Sequence, residues 1–269
     1  MSTLSSRGGA RPVLARVRAS GILLAAWALA VAGAWAAAPA VAIPGPREVG
    51  SALRELWWRG GLGPELFTTL KLVGVAGGLA AALSFLLAWS SVVPAMRPLV
   101  GLVGKLRFLG LTGLVFPFTL ATGGGFALKV ALLVFGMTTF LVAALARIVA
   151  EVPPAQIDHV RSLGARPVRV VWEAVIRGTL GRSLDAVRQN AAMGWSMITM
   201  VEGISRSDGG VGALLLAEHK HFRLAEVYAV LLVVLVVGLL LDVAMGLLAR
   251  LLCPHESSEK NDDSGLHHG

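Results

Sequence analysis

Residues 151–165 read EVPPAQIDHVRSLGA, a polar stretch that lies between two long apolar runs and decides how the chain must be organised. Pro153 and Pro154 suit the first turn of a helix, where the missing N–H of proline costs nothing. Gly164 suits the position after a helix end, where a left-handed backbone is needed. The pattern predicts a short helix from Ala155 to Leu163.

The polar loop continues to residue 186, and Pro167 opens a second predicted helix that runs to about Leu180. Its apolar residues recur at spacings of three and four, which is typical of one helical stripe. They are Val168, Val171, Trp172, Val175 and Ile176. Two short helices exceed what a simple connection needs, which favours a docking role for the loop 151–186.

Six apolar stretches surround this loop and predict the fold class. They lie at roughly 20–42, 66–93, 106–121, 128–150, 187–204 and 226–249. Crossing a bilayer takes about 20 apolar residues. The third stretch carries Pro117 and the fifth carries polar residues, but the interior of a helical bundle accepts both. We expect an all-α membrane protein with about six transmembrane helices.

Composition excludes a soluble domain. The chain is 55% hydrophobic and 15% charged, with a mean hydropathy of +0.73, whereas soluble proteins average about 25% charged residues. Its net charge of +8 comes largely from Arg residues in short loops beside apolar runs, which argues against a nucleic-acid-binding face. The single Cys253 excludes an intrachain disulfide and a CxxC metal site.

The distribution of Lys and Arg predicts the orientation. With the N-terminus inside, sixteen of the 24 Lys and Arg residues face the cytoplasm. We expect both termini in the cytoplasm of a bacterium, and a multi-pass protein of the inner membrane. The predicted domains are a cytoplasmic segment 1–19, a transmembrane domain 20–253 and a disordered tail 254–269.

Two features near the N-terminus bear on this topology. The run from Ser20 to Ala38 also has features of a secretory signal peptide, and its cleavage would leave five spans. Whether the segment is cleaved stays open. Downstream, helical spacing from Arg47 to Trp58 predicts a short amphipathic helix, and its Trp pair favours the outer interface of the membrane.

Within the loop, the residues 152–165 resemble the cytoplasmic loop, often called the EAA loop, of binding-protein-dependent ABC importer permeases. Asp158 stands at the acidic position of that pattern, and Gly164 follows at the expected interval of six. Arg-Ser-Leu-Gly-Ala at 161–165 is similar to the variant in permeases for nitrate, sulfonate and taurine.

The sequence also departs from the family pattern. His159 and Val160 replace two Ala, and Ile176-Arg177 replaces the usual Leu-Pro, which predicts a straighter second helix. The stretches 200–202 and 210–212 resemble the end of the fifth span and the outer segment of this subfamily. The segment 106–127 lacks the usual pattern, so its path stays open.

The resemblance implies the fold of type I ABC importer permeases. It also implies a second permease subunit, identical or not, two copies of an ATP-binding subunit and an extracytoplasmic solute-binding protein. ATP and Mg would be bound by the partner ATPase, because this chain has no GxxxxGK[ST] phosphate loop and is not expected to be an enzyme. The implied substrate is a small nitrate-, sulfonate- or taurine-like solute. The residues expected to couple to the ATPase are Ile157, Asp158, Arg161, Ser162, Leu163, Gly164 and Ala165.

Candidates for the translocation pathway lie on the fifth stretch: Glu202, Met197 and Trp195. Glu202 could equally sit in water at the interface or pair with Arg206, and packing is a common role for Met and Trp on such a helix. Lys71 and Lys129, near span ends, are expected to snorkel. His219 and His221 form a poor metal pattern without a carboxylate cluster, and contact with a binding protein is as reasonable for their loop.

Two other classes of function make different demands. A secondary transporter or channel that works without ATP predicts acidic residues inside the spans, where Asp242 is the nearest candidate. A membrane-embedded enzyme predicts His, Asp or Glu clustered at one depth, a pattern that we do not find in the sequence.

Overall fold

The computed structural model describes residues 44–164, 169, 171–205 and 208–252, with isolated positions between 23 and 35. In this part of the chain all regular structure is helical. Most of the first apolar stretch, including the signal-peptide alternative, and the tail 254–269 lie outside the described residues.

Nine α-helices make up the described fold. They are α1 Pro46–Trp58, α2 Leu62–Ser90, α3 Arg97–Lys105, α4 Leu111–Thr122, α5 Gly125–Ala150, α6 Pro154–Ser162, α7 Gly178–Ile204, α8 Val211–Lys220 and α9 Leu224–Leu252. Short 3₁₀ turns flank α3, and a π-helical segment, Val171–Arg177, leads directly into α7.

Three of these helices, α2, α5 and α9, are long and apolar enough to cross a membrane, among the residues described. At 1.5 Å per residue, each is longer than the roughly 30 Å of hydrocarbon that a span must cover. The helix α7 has 27 residues and the same reach, but it is more polar because it carries Arg182, Asp185 and Arg188. The predicted fifth span is thus the second part of a longer helix.

The third apolar stretch, 106–121, is one of the six predicted spans, and in the structure it is divided into two helical segments. The helical segments 94–108 and Leu111–Thr122 are bent by 111° at a short break. Leu109 and Gly110 adopt extended backbone angles, which end one segment before the next begins. With 12 residues, α4 is about 18 Å long and cannot cross a bilayer alone.

Three consecutive glycines connect α4 to α5 and complete the path of the segment 106–127. Gly123, Gly124 and Gly125 have φ angles of 77°, 94° and 66°. These left-handed conformations are costly for residues with a Cβ, and glycine adopts them freely. The triplet therefore reverses the chain within a few residues.

The core is built around α5, which packs against α2, α3, α4 and α7. Buried apolar side chains from three of these helices form its centre: Leu72, Ala76, Leu128, Leu132, Leu133, Ile198 and Val201. A second cluster joins α1 to α9 through Val49, Ala52, Leu56, Ala229 and Val230. The predicted amphipathic helix at 47–58 is therefore confirmed as α1, with Trp57 and Trp58 exposed on its other side.

The sequence predicted that the second helix of the polar loop ends near Leu180, and this prediction is wrong. The π-helical segment Val171–Arg177 runs without a break into α7, which ends at Ile204. Gly178 and Gly181 do not interrupt it, and Thr179 Oγ1 donates to the carbonyl of Val175 across the junction at 2.6 Å. The part of the loop that begins at Val171 is therefore continuous with a long helix of the bundle.

Candidate functional site

The short helix α6, Pro154–Ser162, confirms the predicted helix 155–163 to within a residue at each end. Gly164 has a φ of +76°, the left-handed conformation expected after the helix end. The side chain of Leu163 is 73% exposed, and Ser162 is also exposed. An apolar side chain held in solvent at a helix end is a suitable contact for another protein.

Not all predicted coupling residues are described to the same extent. Asp158 is exposed and takes part in lining a groove beside α6. The backbones of Ile157 and Arg161 lie in α6, and Ala165 lies outside the described residues.

The groove beside α6 has a volume of 1370 Å³ and a basic lining. Four cations from separate parts of the chain meet there, with Asp158 as the acidic member: Arg97, Lys105, Arg107 and Arg147. This end of the bundle, which we call the α6 end, therefore gathers residues that the orientation prediction places in the cytoplasm.

At the opposite end of the bundle, Glu202 is fully buried and hydrogen-bonded. Its Oε1 accepts from Thr69 Oγ1 at 2.8 Å, and its Oε2 accepts from the Gly212 N–H at 2.8 Å. Thr69 Oγ1 in turn accepts from the Val211 N–H at 2.9 Å. The alternative of a solvated Glu202 is thus wrong, and Arg206 lies outside the described residues.

Lys129 joins the same group, and the prediction that it snorkels is wrong. Its side chain is 0% exposed, and Nζ donates to the Gly209 carbonyl at 2.6 Å. Glu65 accepts a hydrogen bond from the Gly210 N–H. We call Glu202, Lys129, Glu65, Thr69 and the loop 208–212 the Glu202 cluster. It ties α2, α5 and α7 to the start of α8.

Lys71 behaves differently from Lys129, although the sequence predicted that both snorkel. Its side chain is exposed, and Nζ lies 5.3 Å from the ring centroid of Phe126. This distance is within the range of a cation–π interaction. Lys71 is therefore a natural surface control for the buried lysine.

The three predicted pathway residues occupy three different environments. Trp195 lines a cavity, and its Nε1 donates to the Val234 carbonyl at 3.1 Å. Met197 packs in the core, where its Sδ lies close to Gly136. Glu202 is enclosed in its own cluster, two turns beyond Trp195 along α7. Their role in transport stays a prediction, for which the cavity position of Trp195 is the most direct support.

The cavity that Trp195 lines lies between α2, α5, α7 and α9 and has a volume of 380 Å³. Most of its lining is apolar, with Leu, Met, Ala and Gly side chains. Asn190 Nδ2 donates to the Met137 carbonyl at 3.1 Å and joins α7 to α5 at its wall. Arg188 and Asp242 also line this cavity. Sequence reasoning singled out Asp242 alone and missed its partner.

Comparison with solved structures relates this fold to ABC transporters. The MetNI methionine ABC transporter, solved in inward-facing conformations, matches with a TM-score of 0.61 at 15% identity, over 73% of this chain and 97% of that chain. An amino acid ABC transporter solved with histidines matches with a TM-score of 0.61 at 17% identity, over 74% of this chain and 97% of that chain. No family model and no curated protein matches the sequence. The predicted fold class, all-α and of the type I ABC importer permease kind, is confirmed.

Proposed function

We propose that this chain is the permease subunit of an ATP-driven ABC importer. The observation that carries the proposal is the helix α6, which stands with its Gly164 cap in the one long polar loop of a fold shared with ABC transporters. Its partners are two ATP-binding subunits, which hold ATP and Mg, a second permease subunit and an extracytoplasmic binding protein. The substrate is a small nitrate-, sulfonate- or taurine-like solute.

The continuity of the loop with α7 supports a way for α6 to transmit motion. Contacts join α6 to the π-helical segment Val171–Arg177, and that segment continues as α7. Further along, α7 lines the cavity from Val187 to Ile198. A rigid-body displacement of α6 by an ATPase would thus reach the cavity through one helix, a form of motion known for switching proteins.

The residue that best supported a secondary transporter is paired with another side chain in this structure. Asp242, the nearest candidate for an ion-coupling acid, accepts two hydrogen bonds from Arg188. Both oxygens of this carboxylate are therefore engaged by a side chain of the same protein. It is poorly placed to bind a coupling ion by itself.

The coupling proposal predicts the outcome of co-purification in mild detergent. We expect an ATPase subunit to accompany the wild-type chain. Asp158→Arg reverses a charge beside the basic groove, and Gly164→Asp places a side chain on a left-handed backbone at the helix end. Each variant should reduce the ATPase recovered by about tenfold, the effect of roughly 1.4 kcal/mol at an interface.

Glu55→Arg is the matched control, because it makes the same charge reversal on the exposed face of α1, far from α6 along the chain. It should leave recovery unchanged. If the wild type carries no ATPase, or both α6 variants retain it in full, the proposed function is overturned.

A further inference from the structure

Arg188 of α7 and Asp242 of α9 form a bidentate ion pair between two helices of the bundle. Arg188 Nε donates to Asp242 Oδ1 at 2.8 Å, and Nη2 donates to Oδ2 at 2.6 Å. Arg188 lies about 15 Å along α7 from Gly178, and Asp242 lies about 27 Å along α9 from Leu224, at 1.5 Å per residue. Both charges are thus well inside their helices.

The pair is not sealed from its surroundings. The side chains of Arg188 and Asp242 are 38% and 41% exposed. Charges that face hydrocarbon are costly, so an exposed pair within membrane helices faces a water-filled cavity or another protein. The 380 Å³ cavity provides this environment, because both residues line it. Its size lies within the range of about 300–1,000 Å³ that is typical of sites for small molecules.

Glycines on α9 leave the space that the pair and its neighbours occupy. Gly238, Asp242 and Gly246 recur every four residues and share one face of the helix. A Cβ at Gly246 would lie 3.0 Å from Arg188 Nη1, and a Cβ at Gly238 would lie 2.6 Å from Trp195 Nε1. The face is therefore shaped to receive these two side chains of α7, which fixes the charges at the cavity wall.

The rest of the cavity complements an apolar body. Its walls carry glycines, alanines and aliphatic side chains from four helices, and the charged residues among those that line it are Arg188 and Asp242. Among the described residues, Arg188 Nη1 has no hydrogen-bond partner, since the pair uses only Nε and Nη2. A guanidinium offers five N–H donors, so it can hold Asp242 and a second anion together.

We propose that this pair is the recognition site for a small zwitterionic solute, an inference that rests on the proposed importer function. The anionic group of the solute, a sulfonate or carboxylate, binds the guanidinium of Arg188, and its ammonium group binds the carboxylate of Asp242. A simple anion meets repulsion from Asp242, and a simple cation meets repulsion from Arg188. A zwitterion satisfies both, and its carbon chain lies against the apolar wall.

Binding of defined probes to the purified full complex, without the binding protein, tests this inference. We expect taurine to bind, and ethanesulfonate, which has the same sulfonate but no ammonium, to bind at least about tenfold more weakly, the effect of one charge-assisted contact. Nitrate should not compete. β-Alanine distinguishes the anionic groups: equal binding extends the site to carboxylates, and weaker binding restricts it to sulfonates. If ethanesulfonate equals taurine, or if neither taurine nor β-alanine binds, the inference is overturned.

Variants separate recognition from a purely structural ion pair. Asp242→Asn should bring the affinities for taurine and ethanesulfonate close together, because the group that distinguishes them is lost. Glu151→Gln, which disrupts the exposed Arg182–Glu151 pair away from the cavity, should leave their ratio unchanged. If the pair is only structural, Asp242→Asn lowers the melting temperature but leaves the ratio of the taurine and ethanesulfonate affinities as in the wild type. That result would overturn the inference. If no ATPase co-purifies with the wild-type chain, the proposed function is overturned instead, whatever the ratio shows.

Discussion

Glu202→Ala is expected to lower the free energy of unfolding by about 3–5 kcal/mol, the range for breaking a buried charge network. The substitution removes the acceptor of two hydrogen bonds, from Thr69 Oγ1 and from the Gly212 N–H. It also removes one of the three carboxylates that act electrostatically on the buried Lys129. The donors left behind are buried, and a buried donor without an acceptor is costly.

Unfolding of the purified protein in detergent, by heat or by denaturing surfactant, measures this effect. Glu202→Gln should lose about half as much, since the amide keeps the shape and one acceptor oxygen. Glu55→Ala is the matched control, because Glu55 is exposed on α1 and its loss should change stability by less than about 0.5 kcal/mol. A melting temperature of Glu202→Ala equal to that of Glu55→Ala would show that the Glu202 cluster does not stabilise the fold.

Gly212→Ala is expected to destabilise the protein by about 3 kcal/mol, at the upper end of the usual cost of overpacking. A Cβ at this position would lie 2.5 Å from the Thr199 carbonyl oxygen and 2.7 Å from the Thr199 Cα. Both are backbone atoms of α7, so no side-chain rotation can relieve the clash. The start of α8 would have to move away from α7 and would take the Gly212 N–H away from Glu202.

Two other glycines test how the loss of stability depends on the distance from the added Cβ to its nearest neighbour. A Cβ at Gly104 would lie 3.3 Å from the Ala143 Cβ, so Gly104→Ala should cost less than Gly212→Ala. A Cβ at Gly113, within α4, meets nothing within 4 Å, and Gly113→Ala should stabilise the helix by about 0.5–1 kcal/mol. The same unfolding measurement applies to all three. Any other rank order would mean that close backbone contact does not set the stability at these positions.

Local patterns in the sequence were sufficient for the helices whose ends carry their own signals. The two prolines and Gly164 bracket α6, and the predicted bounds differ from the observed ones by a residue at each end. The amphipathic spacing of α1 and the apolar lengths of α2, α5 and α9 were equally informative. In each case the interactions that determine the helix act within about one turn of its end or along one of its faces.

Local patterns failed where backbone conformation is set by small features. Composition marks 106–121 as one apolar stretch, but the extended angles of Leu109 and Gly110 divide it. At the other junction, the apolar stripe that begins after Pro167 predicted an end near Leu180, whereas the helix continues to Ile204. Apolar content alone therefore locates a membrane segment without determining whether the helix is continuous.

The candidate sites depend on contacts that no local pattern contains. Thr69 and Glu202 are 133 positions apart, and Arg188 and Asp242 are 54 apart. The sequence identified the acidic member of each pair as unusual, but it could not supply the partner. For α9 a usable signal existed, since glycines four residues before and after Asp242 mark a face with room for large side chains.

The ion pair between α7 and α9 also has a consequence for how the chain is made. Ribosomes synthesise α7 first, so Arg188 reaches the membrane before Asp242 exists. A nascent or truncated chain that stops before residue 242 therefore holds an arginine without that carboxylate, inside a helix where charge is poorly tolerated. Completion of the last helix supplies the countercharge. Finished and unfinished chains therefore differ in whether Arg188 has the carboxylate of Asp242, a difference that membrane quality control can detect.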